Sequence, residues 1–244
     1  MSSPPPCFRC SKSLLLLLFS LVICLSSLPL SPAAPSPSPS PSPSPSPSPS
    51  PAPFPSLHRH NVPHFTYMGR MAPRWHKRTL EYAFSPDHGI NYLDPAEVRV
   101  VFARAFARWS AYIPVTFTET EDYEQADVKI GWYSGDHGDG APFDGVSSVL
   151  AHSFAPEDGR LHLDADEIWT TDLRKEPPSE YVVDLESVAT HEIGHLLGLG
   201  HSSDKDAVMF PFLVHGTRKV ELGEDDVVGI QTLYGTLYGV IPFD

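Results

Sequence analysis

Residues 191–201 read His-Glu-Ile-Gly-His-Leu-Leu-Gly-Leu-Gly-His, and few segments restrict a chain as strongly. Positions four apart share one face of a helix, so His191 and His195 present their imidazoles side by side from adjacent turns. Glu192 lies one residue round from His191, close to whatever the pair grips without being needed as a ligand. Gly198 lets the helix stop on a residue at positive φ. The chain can then turn back, and His201 can supply a third nitrogen. The plain alternative is three ordinary histidines on and after a helix. It has to explain five fixed positions in order, with a glycine where the helix must break.

Three neutral imidazoles leave a fourth tetrahedral position for water, the layout of a catalytic rather than a structural zinc site. Zinc lowers the pKa of bound water toward about 7 and polarises a carbonyl. Glu192 is then placed to act as the general base and afterwards as the proton donor to a leaving amine.

The rest of the 244 residues divides by composition. Residues 1–33 hold Arg9 and Lys12, no acid, and an apolar run from Leu14 to Leu25, which is short for a membrane span and fits the core of a signal peptide. An uncleaved signal anchor is the alternative. Cys7, Cys10 and Cys24 all lie there, so the mature chain is expected to have no disulfide and to draw on bound metal for stability. Residues 34–59 form a Pro/Ser-rich linker whose alternation over 35–51 cannot build a core; it reads as an extended spacer, bare or wall-binding. About 185 residues remain, enough for one domain with a real core. With Arg9 and Lys12 set aside, 15 bases face 30 acids, which excludes nucleic acid and anionic membrane as favoured partners.

Within that domain Thr79–Phe84 alternates as a strand does. Asp94-Pro95 opens a helix, with Asp94 as cap and Pro95 in the first turn. Val98, Val101, Phe102, Ala105, Phe106 and Trp109 then fall on one apolar face. Val115–Thr120, Asp127–Tyr133 and Val149–Phe154 read as further strands, and the Gly-, Asp- and Ser-rich stretch 134–148 as a loop. Helices are expected over about Asp184–Leu197 and Glu224–Tyr234. The set predicts an α+β domain with a mixed or antiparallel sheet.

A second group of metal-ligating types surrounds the glycine-rich loop: His137, Asp139, His152 and His162. Three His and one Asp close a tetrahedral site with no open position, as in a structural zinc site. The remaining histidines, His58, His60, His64, His76, His88 and His215, are expected at the surface.

The 191–201 segment resembles the metzincin signature, and the wider chain, from about Thr66 to Gly235, resembles the matrixins (matrix metalloproteinases) of plant type. Ser202 follows the third His, as it does in matrixins. His-Gly-Asp at 137–139, Pro-Phe-Asp-Gly at 142–145, Leu-Ala-His at 150–152 and His-Leu-Asp-Ala-Asp-Glu at 162–167 follow the matrixin order. The resemblance implies a metzincin-like zinc peptidase domain over 60–235, with a twisted mixed sheet and about three helices. It also implies a secreted zinc endopeptidase, monomeric, acting on extended protein or peptide substrates in the extracellular space. Asp206-Ala-Val-Met-Phe-Pro211 is similar to the family's Met-turn, which would place Met209 beneath the metal.

The same resemblance implies a calcium site made by Asp144, Asp164 and Glu167 with backbone oxygens of Gly145, Ser147 and Val149, hard ligands that suit Ca²⁺. A solvated acidic loop is the alternative. Leu150 and Ala151 would lie on an edge strand that receives substrate. Val188, His191, Pro211 and Phe212 would line an apolar pocket favouring Leu after the scissile bond. Asp225 and Asp226 match acids that in matrixins meet a freed N-terminal ammonium.

The chain departs from the pattern in two places. Arg160 stands where many matrixins have an acid that shares a second calcium with Asp127. No Pro-Arg-Cys-Gly motif is present, so the cysteine-bearing propeptide of the family is expected to be replaced, dispensable, or part of a longer precursor. Residues 236–244 are expected as a short tail. Competing readings are a non-catalytic wall or adhesion protein, against which all of His191, Glu192, His195 and His201 are intact, and a processing enzyme of another metzincin branch.

Overall fold

The computed structural model describes residues 63–175 and 181–240. The apolar run, the Pro/Ser tract, all three cysteines, His58 and His60 lie outside them. β1 (Thr79–Phe84), β2 (Thr116–Glu119), β3 (Val128–Tyr133), β4 (Ala151–Ser153) and β5 (Arg160–Asp164) make one sheet in the order β2-β1-β3-β5-β4. Four of these strands are parallel, and β4 runs antiparallel against β5. The sheet is therefore mixed, as expected, with β4 at one edge. β6 (Ile168–Thr170) and β7 (Val182–Asp184) form a separate parallel pair. Residues expected only as tail take part in a small hairpin, β8 (Gly235–Thr236) with β9 (Gly239–Val240).

α1 (Pro95–Ser110) begins where its sequence requires: Asp94 Oδ1 accepts from Ala96 N at 2.8 Å, and Pro95 occupies the first turn. Its apolar stripe is buried, from Val98 to Trp109. Phe102 meets Trp132 of β3 edge-on, while Phe106 stacks on Phe117 and packs against Tyr82. Each such side chain contributes roughly 1.5–3 kcal/mol by leaving water. On its other side α1 reaches α2 (Leu185–Leu196), where Trp109 Nε1 donates to Thr190 O at 2.9 Å.

α2 is buried along its whole length. Asp184 caps it, accepting from Ser187 N at 2.9 Å and from the Ser187 hydroxyl at 2.6 Å. Glu186, fully buried in its first turn, is met by Arg104 and Arg108 of α1 and by Arg218. The arginines hold its carboxyl below its ordinary value although burial alone would raise it. This ion cluster pins α2 to α1 and to the chain that follows the Met209 segment. α3 (Glu224–Tyr234) closes the domain.

β5 was not expected as a strand. Both its faces are buried, so His162 and Asp164 do not mark a solvent side and the alternation that signals a half-exposed strand is missing.

Candidate active site and metal centres

α2 ends at Leu196 with Leu197 as its C-cap, and Gly198 follows at φ +103°, where a Cβ would fall 2.0 Å from Pro73 O. That turn carries the chain back over the helix and brings His201 to His191 and His195. One ring nitrogen from each of the three lies within 4.8 Å of the others. His191 Nδ1 is 2.8 Å from Val208 O and His195 Nδ1 is 2.7 Å from Leu199 O. A carbonyl can only accept, so both Nδ1 atoms carry the proton and both Nε2 atoms present lone pairs. Those two Nε2 atoms stand 3.1 Å apart. Zinc–nitrogen bonds of about 2.0 Å in a tetrahedron put ligand atoms about 3.3 Å apart, so this donor set fits zinc.

Beside the three imidazoles Glu192 is fully buried. Burial pushes its carboxyl up to about 8, against the opposing hydrogen bond from the Ser153 hydroxyl, which donates to Oε2 at 2.7 Å. Met209 packs against α2 at Gly194: a Cβ there would meet its sulfur at 2.3 Å and Trp109 at 2.9 Å. Gly194 thus permits the close approach that the Met-turn needs. Gly194→Ala is expected to cost about 1–3 kcal/mol by overpacking, read as a lower urea midpoint with an unchanged m-value. Asp226 secures the same turn, accepting from Val208 N at 2.6 Å, Met209 N at 3.0 Å and Gly223 N at 2.8 Å. Asp225 accepts from the Ser202 hydroxyl and from His64 N.

The second cluster also assembles. Asp139 Oδ2 lies 2.8 Å from His137 Nε2, 2.7 Å from His152 Nε2 and 2.8 Å from His162 Nδ1. The imidazole nitrogens are 3.1 and 3.3 Å apart where His162 faces His137 and His152. Burial would raise the Asp139 carboxyl, but the Ala141 amide and His152 hold it well below the usual carboxylate range. Four donors at near-tetrahedral spacing, one of them anionic, fit zinc with no position left for water. β4 and β5 set the cluster by pairing His152 directly with His162, and the Phe143 ring stacks on His137 and His152.

Asp144, Asp164 and Glu167 come to one loop without forming a group of the closeness of the other two. The backbone presents nitrogens to the carboxylates: Ser147 N donates to Glu167 Oε1 at 2.6 Å and Val149 N to Asp144 Oδ1 at 3.3 Å. Burial pushes Glu167 up to about 7, helped by repulsion from Asp164 and Asp144 and opposed by the Ser147 amide.

Leu150 and Ala151 are buried beside and on edge strand β4. A pocket next to His191 is lined by Ser187, Val188, Val208, Phe210, Phe212, Leu213 and Lys219. Val188, His191 and Phe212 were expected there; Pro211 is not among the lining residues. His215, expected at the surface, is instead buried at 9% exposure, while Phe212 and Val214 beside it stand exposed. Asp127, at the place of a second calcium, instead pairs with Lys77 and accepts from Glu81 N, while Arg160 forks onto Asp158. Ser153, the three arginines on Glu186 and the role of Asp226 escaped sequence reasoning. A lone Ser in a strand and an acid in a helix's first turn carry no special signal.

The matrixin family model matches residues 74–235. Metalloendoproteinase 1-MMP of Arabidopsis thaliana is 57% identical over 176 residues, covering 72% of this chain and 48% of the relative. Metalloendoproteinase 4-MMP of the same plant is 59% identical over 167 residues, covering 67% and 48%. Interstitial collagenase of Oryctolagus cuniculus is 41% identical over 170 residues, covering 67% and 33%. The chain spans about half the length of the plant relatives it matches.

Proposed function

The chain belongs to the matrixin family, and on that premise we propose that it is a secreted zinc endopeptidase acting on extracellular proteins, with residues 60–235 as its catalytic domain. The observation that carries this reading is the convergence of His191, His195 and His201 beside a fully buried Glu192. His191, His195 and His201 would hold a zinc ion, which would supply Lewis acidity for the substrate carbonyl and for water. Glu192 would act as the base that takes a proton from the attacking water and returns it to the nitrogen of the leaving amine. Val208 O and Leu199 O keep His191 and His195 in the ligating tautomer.

Substrate adds as an extended strand to the free edge of β4, so backbone hydrogen bonds supply affinity without regard to sequence. The pocket beside His191 takes an apolar side chain such as Leu after the scissile bond, against Val188 and Phe212. The enzyme works as a monomer. Secretion rests on the apolar run 14–25. Among the described residues no helix is long and apolar enough to cross a membrane.

The His137, Asp139, His152 and His162 cluster holds a structural zinc, and Asp144, Asp164 and Glu167 hold Ca²⁺. Glu167 makes the calcium claim measurable. A carboxyl raised from an ordinary 4.5 to about 7 stabilises the fold below pH 4.5 and loses that contribution as pH climbs through 7. Without calcium the zinc-loaded protein is therefore expected to lose on the order of 3 kcal/mol between pH 5 and 8. Millimolar Ca²⁺ should restore it at pH 8. A melting temperature at pH 8 indifferent to Ca²⁺ refutes the site.

The function itself is tested with the full chain and an unstructured protein as substrate. Cleavage abolished by a zinc chelator and recovered on adding Zn²⁺ supports it. A folded, zinc-loaded protein that cuts nothing overturns it.

A further inference from the structure

Glu192 has two carboxylate oxygens in different surroundings. Oε2 accepts from the Ser153 hydroxyl at 2.7 Å, whereas Oε1 is buried with no hydrogen-bond partner. Ser153 is itself buried at 6% exposure and is the last residue of β4, the edge strand; it lies 39 residues from Glu192 in sequence. A buried carboxylate on two sp³ torsions has several rotamers open to it, and one fixed oxygen selects among them.

We propose that Ser153 is a positioning residue for the general base: it ties Oε2 to β4 and so assigns Oε1 as the oxygen that accepts the proton. The proposal rests on the endopeptidase reading, with Glu192 as base. The tie also has a geometric meaning. The edge of β4 that receives substrate and the Ser153 hydroxyl that holds the Glu192 carboxylate are set by one backbone, so a peptide seated on that edge arrives in a fixed relation to Oε1. Ser153 is neither one of the candidate metal ligands nor one of the residues lining the pocket beside His191, so removing its hydroxyl takes away no zinc ligand and no wall of that pocket.

The test compares wild type, Ser153→Ala and Glu192→Ala as full chains. It reads kcat and KM on an unstructured peptide, zinc per chain, melting temperature, and the Glu192 conformation in crystal structures. Ser153→Ala is expected to lower kcat about ten-fold with KM within two-fold, since misplacing a reacting group slightly is costly. Zinc content and melting temperature should stay at wild-type values, and the Glu192 carboxylate should occupy more than one rotamer. Wild-type kcat in Ser153→Ala, or a loss that follows zinc content, overturns the proposal while a dead Glu192→Ala leaves the base assignment standing. An active Glu192→Ala overturns the base assignment itself.

Discussion

Glu192→Ala is expected to lower kcat by roughly three orders of magnitude, the range a positioned proton carrier contributes, with zinc content unchanged. Nothing nearby can stand in for it. The Ser153 hydroxyl donates to Glu192 and, as a neutral alcohol, is far too weak a base to take a proton at neutral pH. His191 and His195 have Nδ1 protonated against carbonyls and Nε2 directed at the metal position. The fold should not suffer. A buried carboxyl raised to about 8 stabilises the protein only while protonated, and that contribution is lost as pH rises through 8. Its removal is therefore neutral or stabilising in alkaline solution, the usual relation between a strained catalytic group and stability. Chelator-sensitive cleavage at the wild-type rate in this variant would sink the mechanism.

Asp139→Ala is the second large effect, and it strikes stability first. Asp139 is the one anion among three imidazoles and touches all of them through a single oxygen. Three neutral ligands without it hold zinc far less tightly, and the free energy of a metal bound only by the native state is folding free energy. Zinc is expected to fall from two per chain to one. The melting temperature should drop by about 10 °C or more, since each kcal/mol lost moves a domain of this size by about 2–4 °C. Residues 63–240 contain no cysteine, so no disulfide takes up the load. Two zinc ions retained with an unchanged melting temperature would show that Asp139 is not needed as a ligand, and a single zinc per chain already in the wild type would show that the cluster is not a metal site.

Much of this was legible in the sequence because the physics was local. The α1 stripe from Val98 to Trp109, the Asp94 cap and the Gly198 break are each decided by residues a few positions apart. The metal-ligand sets were legible for a related reason, as ligand types are scarce and their spacing is diagnostic. What stayed hidden depends on contacts distant in sequence. β5 is buried on both faces, so His162 and Asp164 read as ligands without revealing a strand. Glu186 carried no signal in the sequence, and only the fold shows Arg104, Arg108 and Arg218 converging on it. Ser153 acquires meaning only when the sheet edge meets α2. His215 reads as surface because its neighbours in sequence are exposed, and only the fold shows its own side chain buried.

The β4–β5 pairing has a consequence for how the chain reaches its native state during synthesis. His137 and His162, which bound the second cluster, are only 25 residues apart, and all four of its ligands leave the ribosome before α2 does. Closing so short a loop costs little entropy, and the antiparallel match of His152 with His162 is itself a nearby contact. A zinc ion captured there would set the register of the sheet's edge before the helix bearing His191 has been made. The later segment would then dock onto a surface already shaped, and the hydrolytic centre would be completed only after its framework is in place.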